Sequence, residues 1–269
     1  MNRNRQIAFA AAHEAGKLLL ARLGDVRTID YKGVANIVTD VDKAAEKLIL
    51  KTIRAEFPHD EILAEESGKN TGAHTNRCWL VDPLDGTTNY AHGYPFFGVS
   101  IALVENGKQT LGVVFNPVAD ELFFAEAGQG AWLNDGPIRV SKIAQLKESL
   151  LATGFPPNTP NAQKASMEQF KCLTAASHGV RRDGSAALDL CFVACGRLDG
   201  FWERKLAPWD VGAGTLIVEE AGGVVSNLIN DAFDLARCDV IASNGLIHNE
   251  LACTLDEKEL ARSLALAKD

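Results

Sequence analysis

Between Cys78 and Val140 the chain reads as one strand after another, and that run limits the fold more than any other feature. CWLVD is a short buried stretch, while FFGVSIALV and QTLGVVF flank Glu105-Asn106-Gly107-Lys108. Asn-Gly readily adopts the positive φ angles of a tight hairpin turn, so those two segments are predicted to pair antiparallel. ELFFAEA and GAWLN extend a meander expected to end at Asn134-Asp135-Gly136. Apolar spacing at three- and four-residue intervals predicts helices over 4–23 and 41–56, with Asp40 as N-cap of the second and Pro58 closing it. Residues 67–76 read as a polar loop. After residue 141 the signals alternate: strand-like LLATGF, helical 162–176 and 184–195, strand-like 198–202, helical 210–220, strands at 224–226 and 239–242, then a helix over 246–265. A strand run followed by alternation implies a layered α+β or α/β architecture. Without a fixed-period repeat or linker-like composition, we expect one compact unit with sub-lobes 1–140 and 141–269.

A hydrophobic content of 46% in 269 residues is enough for a sizeable core. The 27 basic and 35 acidic residues give a formal charge of -8, which argues against a general nucleic-acid footprint. An anionic substrate must then be drawn in locally, for instance by a metal ion. His13, Glu14 and Lys17 interrupt the N-terminal apolar run, no small-residue cleavage site follows, and no stretch approaches the ~20 apolar residues of a membrane span. The expected location is cytoplasmic, with no membrane partner. None of the six cysteines forms a CxxC pair, and Cys191 and Cys195 fall in an apolar helical run, which suits buried reduced thiols.

The chemistry concentrates in VDPLDGTTNY, Val81 to Tyr90, where Asp82 and Asp85 sit beside Gly86, Thr87 and Thr88. The segment after Asp85 resembles a helix N-terminus, whose exposed N–H groups favour a phosphate. Glu65 and Glu66 follow Ile62-Leu63, Asp210 stands at the mouth of a helix in APWDVGAG, and Asp40 and Asp42 start another helix in TDVDK. Singly, each has a plain reading: Asp40, Asp42 and Asp210 as helix caps, Glu65-Glu66 as a solvated strand end, Asp82-Pro83 as a turn. Together they suit Mg2+, which takes hard oxygen ligands from a few carboxylates, substrate phosphate and water. A metal also inverts the repulsion that carboxylates alone would exert on a phosphate. An EF-hand fails because the twelfth position from Asp82 is Gly93, and Gly68-Lys69 lacks the other residues of a P-loop.

TDVDKAAEKLI, AEES, WLVDPLDGTTNYAHGYPFFGVSIALV, GSAALDLCFVACGRLDGFWE and APWDVGAGTLIVEEAGG resemble the inositol monophosphatase family of Mg2+-dependent, lithium-sensitive phosphatases over nearly the whole chain. The resemblance implies an αβαβα layered fold, two or three Mg2+ ions, a homodimer, and a small phosphorylated polyol as substrate. It implies hydrolysis of myo-inositol monophosphate by a metal-activated water. By position, Glu65, Asp82 and the Leu84 carbonyl would hold one metal, with Asp82, Asp85 and Asp210 holding a second. Thr87 with Asp42 would orient the water, the amides of Gly86 and Thr87 would hold phosphate, and Lys32 would lie on a loop closing over the site. Glu203 would bind hydroxyls of the alcohol, with Gly184, Ser185 and Ala186 lining it. Ala64 replaces a common glycine, and Asp183 stands where many relatives have an uncharged residue, which bears on substrate choice. The alternatives are histidinol phosphate or another sugar phosphate, with Glu203 facing an ammonium in the first case. A different class would be a non-catalytic regulator that keeps this fold for binding.

Overall fold

The computed structural model describes residues 2–25, 29–31, 37–70, 76–155 and 160–256. Lys32, and the helix expected beyond residue 256, lie outside the described residues. Helix α1 (Arg3–Arg22) is followed by a small hairpin, β1 (Ile29–Tyr31) and β2 (Ile37–Thr39), and by helix α2 (Asp40–Glu56). Then come β3 (Glu61–Ala64), β4 (Gly68–Asn70), β5 (Arg77–Asp85) and the short helix α3 (Thr87–Ala91). The meander is β6 (Gly98–Glu105), β7 (Lys108–Asn116), β8 (Glu121–Glu126), β9 (Ala131–Leu133) and β10 (Gly136–Ile138). The second half contains β11 (Leu150–Thr153), α4 (Pro160–Ala176), β12 (Gly179–Arg181) and α5 (Ala186–Ala194). It closes with β13 (Gly200–Glu203), α6 (Pro208–Glu220), β14 (Val224–Ser226), β15 (Val240–Ser243) and α7 (His248–Leu255).

Two sheets result, one of eight strands in the order β10-β9-β8-β7-β6-β5-β3-β4 and one of five in the order β12-β11-β13-β15-β14. The period-2 alternation of each strand sorts its side chains between layers. Trp79, Val81, Ile101, Leu103 and Val113 face α1 and α2, while Leu80, Ala102 and Val114 face α5 and α6. In the second sheet Ala152, Phe201, Val240 and Ala242 join that same middle core, while Leu151, Trp202 and Ile241 face α7. Helix α4 packs on β12 and on α7. The layers are therefore αβαβα, with α5 and α6 shared by both sheets.

Asn106 and Gly107 both take positive φ, 51° and 77°, and close the β6–β7 hairpin as expected. Three local expectations change. Thr39, not Asp40, caps α2: its hydroxyl accepts from the Val41 amide, while Asp40 instead pairs with Arg22 at 2.8 Å. The Asn134-Asp135 turn does not end the meander, because β10 pairs back onto β9. Gly68–Asn70, expected in a loop, is an edge strand antiparallel to β3. Glycines set how closely α6 approaches the large sheet. A Cβ on Gly112 would come within 2.6 Å of the Ala213 carbonyl, and one on Gly212 within 2.6 Å of a Leu80 methyl. This close approach brings the start of α6, and Asp210 with it, against the end of β5.

Candidate active site

The site forms where β5 loses its register. Asp82 pairs with Ser100 and Asp85 with Gly98, so three steps along β5 match two along β6. In a regular strand residues three apart point to opposite faces; the one-residue bulge lets Asp82 and Asp85 serve the same side. Pro83, which has no N–H to offer a ladder, sits inside the irregularity. The Asp82 carboxylate accepts from the Leu84 amide at 3.0 Å and is almost wholly buried. Gly86, at φ +93°, turns the chain into α3, and a Cβ there would press on the Phe96 carbonyl at 3.0 Å.

The remaining walls are fastened to this segment. Ser185, the N-cap of α5, donates to Asp85 Oδ2 at 2.6 Å, and the Ala187 amide donates to the same oxygen at 2.7 Å. Asn89 donates to the Phe96 and Asp183 carbonyls, both at 2.7 Å, tying α3 to the loop before α5. The Ala207 amide donates to Asp210 Oδ2 at 2.7 Å, so Asp210 does cap α6. Asp42 is likewise the third residue of its helix and closes a capping box with Thr39. Its other oxygen, Oδ1, accepts from the Thr87 hydroxyl at 2.9 Å, while the Leu84 carbonyl lies 3.1 Å from the same hydroxyl.

Glu65, Asp82, Leu84, Asp85, Gly86, Thr87, Gly184, Ser185, Ala186, Glu203 and Asp210 all line one cleft of about 190 Å³. Of the residues singled out from the sequence, Asp42 reaches this cleft only through Thr87. The sequence reading missed Thr153, Gly154, Arg182 and Asp189, which also line it. A Cβ on Gly154 would run into the Glu203 carboxylate, so a larger residue there would displace that side chain. Of these missed residues, Asp189 carried a signal in the sequence, as the one acid inside an apolar helical stretch.

Negative charge is concentrated against burial. Asp82 is held well above the ordinary carboxylate range, by burial first and then by the charges of Glu65, Asp85 and Asp210. Asp210 is raised well above it too, by burial and the charges of Asp85, Glu65 and Glu203. Burial pushes Asp85 up to about 6 despite the bonds from Ser185 and Ala187. Glu203 rises to about 8 through burial and the Asp85 charge, with Arg182 opposing. Such a group of acids, with a carbonyl among them, is an oxygen donor set that a hard divalent cation would relieve. The fit is one of donor type and location. Among the described residues no three acidic, histidine or cysteine side chains already stand in a finished ligating arrangement.

With that geometry in hand, the relationships are clear. Residues 2–260 match the model of the inositol monophosphatase family. An inositol-1-monophosphatase of Synechocystis is 47% identical, over 93% of this chain and 88% of its own. The solved inositol monophosphatase from Anabaena (Nostoc) superposes with a TM-score of 0.83 at 47% identity, over 93% of this chain and 94% of its own. The extragenic suppressor protein suhB of Bartonella henselae does so with a TM-score of 0.92 at 40% identity, over 95% of this chain and 99% of its own. The chain belongs to the inositol monophosphatase family and is, with it, a phosphoric monoester hydrolase. Mg2+ dependence is general to that family. No described helix is long and apolar enough to cross a membrane.

Proposed function

We propose that the chain hydrolyses myo-inositol monophosphate to myo-inositol and phosphate in a Mg2+-dependent reaction. The observation that carries this reading is the convergence of Asp82, Asp85 and Asp210 on one cleft, where each is raised by burial and by the charge of Glu65. Glu65, Asp82, Asp85, Asp210 and the Leu84 carbonyl would hold Mg2+. When bound there, Mg2+ supplies Lewis acidity to water and positive charge to the transferred phosphoryl group.

The chain's own groups do the rest. Asp42 is buried and its Oδ1 accepts the single Thr87 hydroxyl proton, which leaves Thr87 Oγ1 as an acceptor toward an attacking water. A water held from that oxygen keeps a lone pair free to aim at phosphorus. The amides of Gly86 and Thr87 would receive phosphate oxygens. A phosphorus–oxygen bond forms to the water and the one to the alcohol breaks, so phosphate and the free alcohol leave. Glu203, beside Gly184, Ser185 and Ala186, would accept hydrogen bonds from the alcohol. Phosphate release from myo-inositol 1-phosphate, histidinol phosphate and p-nitrophenyl phosphate, with Mg2+ and with excess EDTA, tests this. Inositol phosphate should lead and EDTA should abolish turnover. A lead for histidinol phosphate would overturn the substrate, and full turnover in EDTA would overturn the metal.

A further inference from the structure

Helix α5 carries one charged residue, Asp189, on an otherwise apolar and buried sequence, Ala186–Ala194. Asp189 is 1% exposed, and its Oδ1 has no hydrogen-bond partner. Its backbone amide is satisfied by the Ser185 carbonyl, so the helix does not need the side chain. A buried acceptor left unpaired is destabilising, and Leu or Ala would fit the pattern of the helix without that penalty. Asp189 nevertheless lines the cleft, together with Glu203, Ser185, Gly154 and Arg182. The charges that reach it are those of Asp183, Glu203, Asp85 and Arg182, so it shares the Glu203 side of the cleft. Among the described residues none hydrogen-bonds to Oδ1, although Arg182 offers an opposite charge. The cleft that Asp189 lines is where a group completing the carboxylate can enter.

We propose that Asp189 is a specificity-determining residue for the leaving alcohol, its carboxylate accepting a hydrogen bond from a substrate hydroxyl other than the one Glu203 binds. This rests on the reading of the cleft as a polyol-phosphate site and narrows it. Two carboxylates on the alcohol side select an ester that carries at least two free hydroxyls near the phosphate. A leaving group with none cannot satisfy either acid, and an unpaired buried acceptor is what makes a site reject an analogue that lacks the matching donor. Asp189 binds the alcohol and takes no part in the bond changes at phosphorus.

The test compares kcat/KM for myo-inositol 1-phosphate and p-nitrophenyl phosphate in wild type, Asp189→Asn and Asp189→Leu, each shown to be folded by its melt. Asp189→Leu should lower the value for the inositol ester at least fivefold more than for the nitrophenyl ester, with the loss mostly in KM. Asp189→Asn, which keeps an acceptor oxygen, should lose less. Equal losses on both esters, or an unchanged ratio, would assign Asp189 a structural role and overturn the inference. Should neither variant fold, a series of deoxy-inositol phosphates on the wild-type enzyme carries the test: removal of two different hydroxyls, one at a time, should each lower kcat/KM at least fivefold. A single sensitive hydroxyl would overturn the inference while leaving the polyol reading intact. A wild-type enzyme that does not prefer hydroxyl-bearing esters would sink the polyol reading itself, and the inference with it.

Discussion

The starts of α2 and α6 use the same local device for different ends. Each helix has an aspartate at its third position bonded back to the residue before the helix: Asp42 to the Thr39 amide at 2.8 Å, Asp210 to the Ala207 amide at 2.7 Å. At α2 both oxygens are used, since Thr39 donates to Oδ2 and Thr87 donates to Oδ1. At α6 the cap uses Oδ2 alone, and the surroundings of the carboxylate are Asp85, Glu65 and Glu203. The first acid is surrounded by donors and works as an acceptor. The second is surrounded by acids and has an oxygen suited to a cation. Helix position does not decide which role an N3 aspartate takes; its neighbours across the cleft do.

The largest effect should fall on the acid-rich side. Asp210→Asn and Asp85→Asn keep shape but remove a charge, and turnover should drop roughly 10²-fold or more, as expected for groups that hold a catalytic cation. The same change should not cost stability in EDTA. Both carboxylates have raised pKa values in the fold, so the stability they contribute is present below the ordinary carboxylate range and is lost as pH rises through the folded pKa. At pH 7.5 without metal, either variant should therefore melt at or above the wild-type temperature. A strongly lowered melt with near-normal turnover would return Asp210 to a simple cap and erase the contrast with Asp42.

Thr87→Ala comes next. The loss should lie in kcat, about 10–10²-fold, because the hydroxyl aims a water and does not grip substrate. A rise in KM alone would make Thr87 a phosphate ligand. Asp42→Asn should act through the same hydroxyl but less severely, since Thr87 can still donate to the Leu84 carbonyl. It should also cost about 1–2 kcal/mol in chemical denaturation, because an amide cannot accept from Thr39 and Thr87 as the carboxylate does. The two acids would then separate cleanly: Asp42→Asn loses stability and some rate, Asp210→Asn loses rate alone.

How much of this was legible in the sequence follows from where each signal resides. The hairpin at Asn106-Gly107 and the acids of VDPLDGTTNY are local patterns, so the large sheet and the floor of the cleft could be read directly. The cap of α2 was misplaced by one residue because Thr39 and Asp40 are both good capping types, and only the Arg22 ion pair shows where Asp40 is engaged. Strand β4 was missed because GKN is polar and short; its pairing with β3 supplies what its residues lack. Gly154 and Asp189 belong to a strand end and an apolar helix that meet the cleft only after the second sheet has folded against α5. Helix α6 draws core residues from both sheets, which supports our proposal that sub-lobes 1–140 and 141–269 unfold together. Calorimetry should then record a single transition, and two separable ones would refute that proposal.

The smallest effect belongs to a third helix start, away from the acids. Helix α7 begins at His248 after Asn244, whose Oδ1 accepts from the Leu246 and Ile247 amides. The His248 ring is buried between two neutral hydroxyls, with Nδ1 2.9 Å from Ser243 Oγ and Nε2 2.9 Å from Ser226 Oγ. Burial lowers its pKa, and a charged imidazole at a helix N-terminus would also oppose the dipole. The sign then runs opposite to that of the cleft acids. The unfolded chain binds the proton at the ordinary histidine value of about 6.5, while the fold resists it down to a lower pH. Stability linked to His248 is thus fully present above that value and is lost as pH falls through the folded pKa. Melting temperatures of wild type and His248→Gln, followed from pH 8 to pH 5, should diverge in slope only below about 6.5. A wild-type slope that the variant reproduces would mean that the ring titrates alike in the folded and unfolded chain, and that its burial between the two serines does not oppose its charge.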